Sequence, residues 1–167
     1  MTFEHLIKIK LPEVVLVDAE KFITEESETY FASIGSYIQN RQKISTTDWG
    51  SKSIVLCTIH GQISFDNSIE FIESQNGIFP NAEGLAIAAP LLRDKGLKQT
   101  AVYGFDKKEK LWEPSGKESL FVPYSKESLF VPYIVVKPGN FYFGLSSFAK
   151  NSHIAVTNNS YLIYIAD

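Results

Sequence analysis

The chain of 167 residues reads as a mainly β protein, a β-sandwich or jelly roll of about eight to ten strands with one amphipathic α-helix at about residues 25–41. Three observations predict this. Aromatic residues make up 13% of the chain, with 12 Phe and 8 Tyr, and such rings pack well on a pleated surface. From Leu97 onward, short apolar runs recur roughly every ten residues with turn residues between them, the spacing of an all-β domain. No linker or low-complexity stretch divides the chain, so residues 1–167 are expected to form a single domain.

Each element has its own local reason. Phe3, His5, Ile7, Ile9 and Leu11 alternate with Glu4, Lys8 and Lys10, which is the pattern of a half-buried strand. Val14–Asp18 reads as a second strand after Pro12. The expected helix follows. Thr24 suits its N-cap, and Glu25, Glu26 and Glu28 put negative charge in the first turn, where the helix dipole favours it. Tyr30, Phe31, Ile34, Tyr37 and Ile38 recur at spacings of three and four and make one apolar face suited to core packing. Arg41 closes the last turn. Ser45–Ser51 is a loop, Ser53–Ile59 a buried strand, and Gly61–Phe65 its continuation after a bend at His60-Gly61. Asn67–Ser74 fits either a strand or a short helix, and Gln75–Pro80 is a turn. Ala82–Ala89 is Ala-rich, but Gly84 and Pro90 make it a poor helix, so irregular backbone or a short helix is expected. Gln99–Phe105 is a strand, Asp106–Glu109 a polar turn, and Lys110–Glu113 a return. Tyr133–Lys137 and Phe141–Leu145 flank a turn at Pro138-Gly139-Asn140. His153–Thr157 and Tyr161–Ala166 are separated by Asn158-Asn159-Ser160, a hairpin signal.

One stretch repeats. Lys117–Tyr124 and Lys126–Tyr133 both read KESLFVPY, one serine apart, so the period is nine. A recent tandem duplication, natural or introduced, explains this, since repeat architectures need periods of about 20–50 residues and several copies. A slip of nine reverses which side chains face the core, so the two copies cannot extend one strand with the same inner face. One copy is therefore expected in the sheet, and either fits if the other nine residues are accommodated outside. Pro123 and Pro132 lack the ladder N–H and are expected at strand ends or edges.

Composition narrows the function classes. The net charge is −3 and no Lys/Arg block exists to neutralise phosphates, which argues against nucleic-acid binding. Cys57 is the single cysteine, so no intramolecular disulfide or multi-cysteine zinc site can form. The amino-terminal residues lack a basic stretch followed by a long apolar run, so synthesis in the reducing cytosol without a signal peptide is expected. No apolar run approaches the length of a membrane-spanning helix. Cys57 and His60 lie three apart, but on a strand they would face opposite sides, and Cys57 is expected to be a buried structural thiol. His5, His60 and His153 stand alone, without metal-ligand spacing, and no nucleotide or nucleophile-elbow motif appears, so no cofactor, metal or catalytic residue is expected.

The aromatic residues supply the candidate binding positions. Trp49 lies in a polar loop and Trp112 in a short strand. Each either packs in the core or, if exposed beside polar groups, stacks on a sugar ring. Tyr103, Tyr124 and Tyr133 suit an interface, where tyrosine is enriched.

TAVYGFD at Thr100–Asp106, LWEP at Leu111–Pro114 and VVKPGNFYFGLSS at Val135–Ser147 resemble the β-sandwich modules of bacteriophage tail and tail-fibre proteins. The resemblance implies a virion or adhesion-like module and no catalytic residue. The expected function is therefore that of a non-enzymatic structural or binding protein, a candidate virion component acting through protein–protein contacts and forming a homo-oligomer. One alternative is a carbohydrate-binding module that uses Trp49 or Trp112 to hold a glycan. The other is a small-molecule carrier or small enzyme with an internal cavity.

Overall fold

The computed structural model describes residues 2–29, 34–40, 49–97, 101–107, 110–111, 128–149, 153–155 and 160–167. Nine strands lie among them. These are β1 (Thr2–Lys10), β2 (Ser27–Thr29), β3 (Ser53–His60), β4 (Gln62–Ser64), β5 (Ala101–Tyr103), β6 (Ser128–Lys137), β7 (Asn140–Ala149), β8 (His153–Ala155) and β9 (Ser160–Ala166). The helices are α1 (Ala19–Lys21), which runs on into a π-helical turn at Phe22–Glu26, α2 (Ile34–Asn40), α3 (Phe65–Ser74) and α4 (Asn81–Arg93).

The protein is mainly β. Seven strands form one mixed sheet in the order β1-β3-β9-β5-β6-β7-β2, and β4 pairs with β8 in a second, two-stranded sheet. Two sheets are compatible with the sandwich or jelly-roll expectation, and helices add further cover to the faces. The sheets join at a corner. β3 pairs antiparallel with β9, then Gly61, at φ +90°, turns the chain into β4, which pairs antiparallel with β8. Only glycine adopts such a φ at little cost. The expected β8–β9 hairpin is therefore not a ladder: β8 pairs with β4, whereas β9 lies between β3 and β5.

The period-two pattern of the strands builds two cores. On one face, Ile54, Leu56, Ile134, Phe143, Ile163 and Ile165 pack with Ala82, Leu85, Ala88 and Leu92 of α4, and with Phe22, Ile23, Tyr37 and Trp49. On the other, Val55, Cys57, Leu162, Tyr103, Val131 and Phe148 pack with Ile63, Phe65 and Ile72 of β4 and α3. Alternate residues along one strand thus serve opposite cores, as expected for a sheet covered on both faces.

Three local expectations give way to tertiary packing, and one left open is settled. The helix expected from residue 25 is not there: Asp18 caps α1 by accepting from the Lys21 N–H at 2.9 Å, and Ser27–Thr29 leaves the helix to pair, parallel, with Phe141–Phe143 of β7. That pairing covers the exposed edge of β7, a gain that the local charge pattern cannot report. The expected apolar face survives in part, with Tyr37 buried against Phe143 and Ile34 and Ile38 half-buried, while Tyr30, Phe31 and Arg41 lie outside the described residues. Val14–Asp18 forms no strand and joins no sheet. The ambiguous run near Asn67 is helical, with Ser64 capping it through the Asn67 N–H at 3.1 Å. Residues 81–93 form the longest helix described, despite Gly84 and Pro90. Gly84 is where α4 passes Pro80, whose Cβ would lie 2.2 Å from any added Cβ.

The second copy of the repeat holds the sheet position, as Ser128–Tyr133 of β6, and the first lies outside the described residues. Pro132 stands inside β6, not at an end or edge as expected: β6 lies between β5 and β7. The Gly104 N–H donates to the Pro132 carbonyl at 2.9 Å, so the backbone polar groups of Pro132 face β5. β5 ends at Tyr103, and the missing N–H falls where that ladder stops.

Candidate functional site

The clearest candidate is an apolar groove between the segment 11–18, which lies outside the sheets, and α4. After β1, the Leu11 N–H donates to the Lys52 carbonyl, and the Ser51 N–H donates to the Pro12 carbonyl, which ties the start of the segment to the loop before β3. From there Val14 to Val17 alternate like a strand: Val15 and Val17 turn half inward, while Val14 is 71% and Leu16 92% exposed. Among the described residues, no backbone hydrogen bond is made by Val14–Val17. Opposite them stand Ala86, Ile87, Pro90 and Leu91 of α4, with Phe22 at the end, enclosing about 600 Å³. Asp18, Lys21 and Glu26 form the polar rim.

A second recess of about 610 Å³ opens at the β1 edge, beside the turn after α3. His5 Nε2 and Tyr164 Oη are hydrogen-bonded there at 2.7 Å. Burial pushes the Tyr164 hydroxyl above its ordinary pKa, and the neighbouring Cys57 adds to this. Lys52 pairs with the Asp167 carboxylate at the mouth and holds it below its usual range. A bulge between His5 and Ile7 leaves Leu6 half exposed on this edge.

A buried polar cluster joins α4 to the end of β5. Asn81, at φ +50°, gives one amide N–H to Asp106 Oδ2 at 3.0 Å and accepts the Ala82 N–H at 2.7 Å. The Lys107 N–H donates to Asp106 Oδ1 at 2.7 Å. Burial raises the Asp106 pKa, against the two hydrogen bonds and the Lys110 charge, and buried Glu83 raises it further. These contacts hold the helix start to the strand end, a structural role.

The three expected binding residues that lie among the described ones, Trp49, Tyr103 and Tyr133, do not converge on an open site. Trp49 is 5% exposed and packs in the core under α4, so it presents no open ring to a sugar. The loop carrying it is polar, but its indole turns inward because the Leu11 and Pro12 backbone draws residues 51–52 against the core. Trp112 and Tyr124 lie outside the described residues. Tyr103 and Tyr133 do meet, with ring centroids 5.9 Å apart, but as packing. Tyr103 is buried edge-on to Phe148, and Tyr133 lies over Gly144, where an added Cβ would come within 2.5 Å of the phenol.

Cys57 is fully buried and its thiol is pushed up to about 12 by desolvation. His60 is exposed and bonds Glu4 at 3.0 Å, so the two are separated as expected. Among the described residues, no three His, Cys, Asp or Glu side chains cluster in a way that would hold a metal ion, and no helix is long and apolar enough to cross a membrane. Sequence reasoning missed the groove. Its signal is the apolar run Val14–Val17, which as sequence alone reads as part of a strand, Val14–Asp18.

Compared with known protein families, curated proteins and solved structures, the chain has no match.

Proposed function

We propose that this chain is a non-enzymatic binding or structural protein that works by contact with another protein, through the groove between residues 11–18 and α4. One observation carries this reading: Leu16 and Val14 stand in water beside an apolar groove, on a segment whose backbone hydrogen-bonding groups are unused by the rest of the described fold. Contiguous exposed apolar surface with a polar rim marks contact sites. The resemblance of Thr100–Ser147 to phage tail modules supports a multi-copy particle as the setting, with a homo-oligomer as one form of assembly.

The test is direct. The chain and its Leu16→Asp variant are compared by sedimentation at micromolar concentration and by titration with extended, valine-alternating peptides. The parent chain is expected to self-associate or bind a peptide, and the variant to do neither while keeping its melting temperature. A parent chain that remains monomeric and binds no peptide overturns the reading.

A further inference from the structure

We infer that the long open edge of the main sheet, the outer side of β1, is guarded against pairing with a second copy of this chain by the one-residue bulge at Leu6 and by Lys8 and Lys10. The inference is independent of the groove. It concerns the partner that this edge excludes.

An edge strand presents unpaired backbone N–H and C=O groups, which makes it a template for another chain. β1 stands first in the seven-stranded sheet, and among the described residues no strand lies beyond it. It has nine residues, whereas the other described edge strands, β2, β4 and β8, have three each. Thr2, Glu4, His5, Leu6, Lys8 and Lys10 are exposed along it. Among the described strands, this edge is therefore the one most open to sheet growth.

Two features close it. The first is the bulge. Phe3 and His5 stand opposite Ile59 and Cys57, and Lys8 stands opposite Val55, all on the face of the second core. His5 and Lys8 thus share a face although they are three apart, because Leu6 is an extra residue. A regular strand alternates every two residues, so one laid along β1 matches its faces on only one side of Leu6.

The second feature is charge. Lys10 pairs with Ser53, two residues from Lys8, so both lysines are on that same face. Glu4 is the only acid in β1. It pairs with Thr58 on the other face, where it bonds His60 at 3.0 Å. Residues directly opposite in a ladder point to the same side of the sheet. Pairing β1 with its own copy, in whatever register, therefore never sets Glu4 against Lys8 or Lys10. It gathers four lysines on one face with no acid of the ladder to offset them, which is unfavourable. The nearby Asp167 is already paired with Lys52. Contact between copies is left to other faces.

The test opens the edge. All variants are made in the full chain carrying Leu16→Asp, so that the groove does not contribute, and circular dichroism checks that each folds. Deleting Leu6 together with Lys8→Thr and Lys10→Thr is expected to at least double the average mass in sedimentation and to slow amide hydrogen exchange along β1. The same deletion with Lys8→Glu and Lys10→Glu keeps like charges on the edge and is expected to stay at the mass of the Leu16→Asp chain. Lys8→Thr and Lys10→Thr without the deletion are expected to give weaker association. Where the deletion chain does not fold, this last variant decides, and its failure to associate overturns the guard. A deletion chain with both threonines that folds and keeps the starting mass overturns it, as does equal association of the glutamate chain. Exchange along β1 that slows in the Leu16→Asp chain itself as its concentration rises also overturns it, because the native edge then pairs already.

Discussion

Removing nine residues, Lys117–Ser125, should leave the fold intact and slightly more stable. The two copies are identical, so deleting either one gives the same chain, KESLFVPY followed directly by Ile134. In the native register the second copy continues without a break into Ile134, Val135 and Val136; Ile134 and Val135 pair with both β5 and β7, and Val136 pairs with β7. Were the first copy to hold the slot, Ser125 would replace Ile134 and Glu127 would replace Val136, at positions 0% and 6% exposed. Losing each apolar side chain costs about 1.5–3 kcal/mol, and burying the unpaired carboxylate costs several more. Looping nine residues out between Tyr133 and Ile134 instead would break the ladder in the middle of an interior strand. The copies are therefore equal in sequence and unequal in context. Deletion shortens the connection between Leu111 and Ser128 from 16 residues to 7. The loop-closure cost falls by (3/2)RT ln(16/7), about 0.7 kcal/mol. With an unfolding entropy of roughly 2.1 cal/mol/K per residue, the melting temperature rises by roughly 2 °C. Circular dichroism melts of the two chains measure this. A chain that fails to fold, or melts several degrees lower, would refute the argument and make the first copy part of the core. The converse change, Ser125→Ile, Lys126→Val and Glu127→Val in the full chain, gives the first copy the same continuation and should produce two sets of amide signals for β6.

Three further outcomes follow from the packing. Cys57 should resist thiol reagents in the native state at neutral pH, and Cys57→Ser should cost roughly 1–3 kcal/mol for an imperfectly bonded buried hydroxyl without selective loss of binding; rapid labelling of folded protein would contradict this. The same thiol binds its proton more tightly folded than unfolded, so its contribution to stability is complete below pH 9 and is lost as pH rises towards about 12, with buried Tyr103 and Tyr164 acting in the same direction; urea titrations across that range should show a falling midpoint. Gly104→Ala places a Cβ 2.5 Å from the Asn81 carbonyl oxygen and should destabilise by roughly 1–3 kcal/mol, as read in denaturant melts, by forcing α4 away from β5; an unchanged midpoint would show that the helix start is loosely held.

The residues alone determined the β class, the strands whose alternation or apolar run is strong, such as β1, β3, β7 and β9, and the burial of Cys57 among its neighbours. These are consequences of a side-chain period of two and of composition, and each is written within a few adjacent positions. Only the tertiary structure decided the rest. α4 forms through Gly84 and Pro90 because Leu85, Ala88 and Leu92 gain a core that helix propensity does not count, and Gly84 is what lets the helix pass Pro80. Ser27–Thr29 is a strand because β7 needed a neighbour, although its own residues favour a helix start. Trp49 is buried although its loop is polar, because the backbone contacts of Leu11 and Pro12 carry that loop onto the core. Val14–Val17 has the sequence of a strand and no partner, and no local pattern distinguishes a strand that is paired from one left open. Pairing is a relation between segments far apart in the chain.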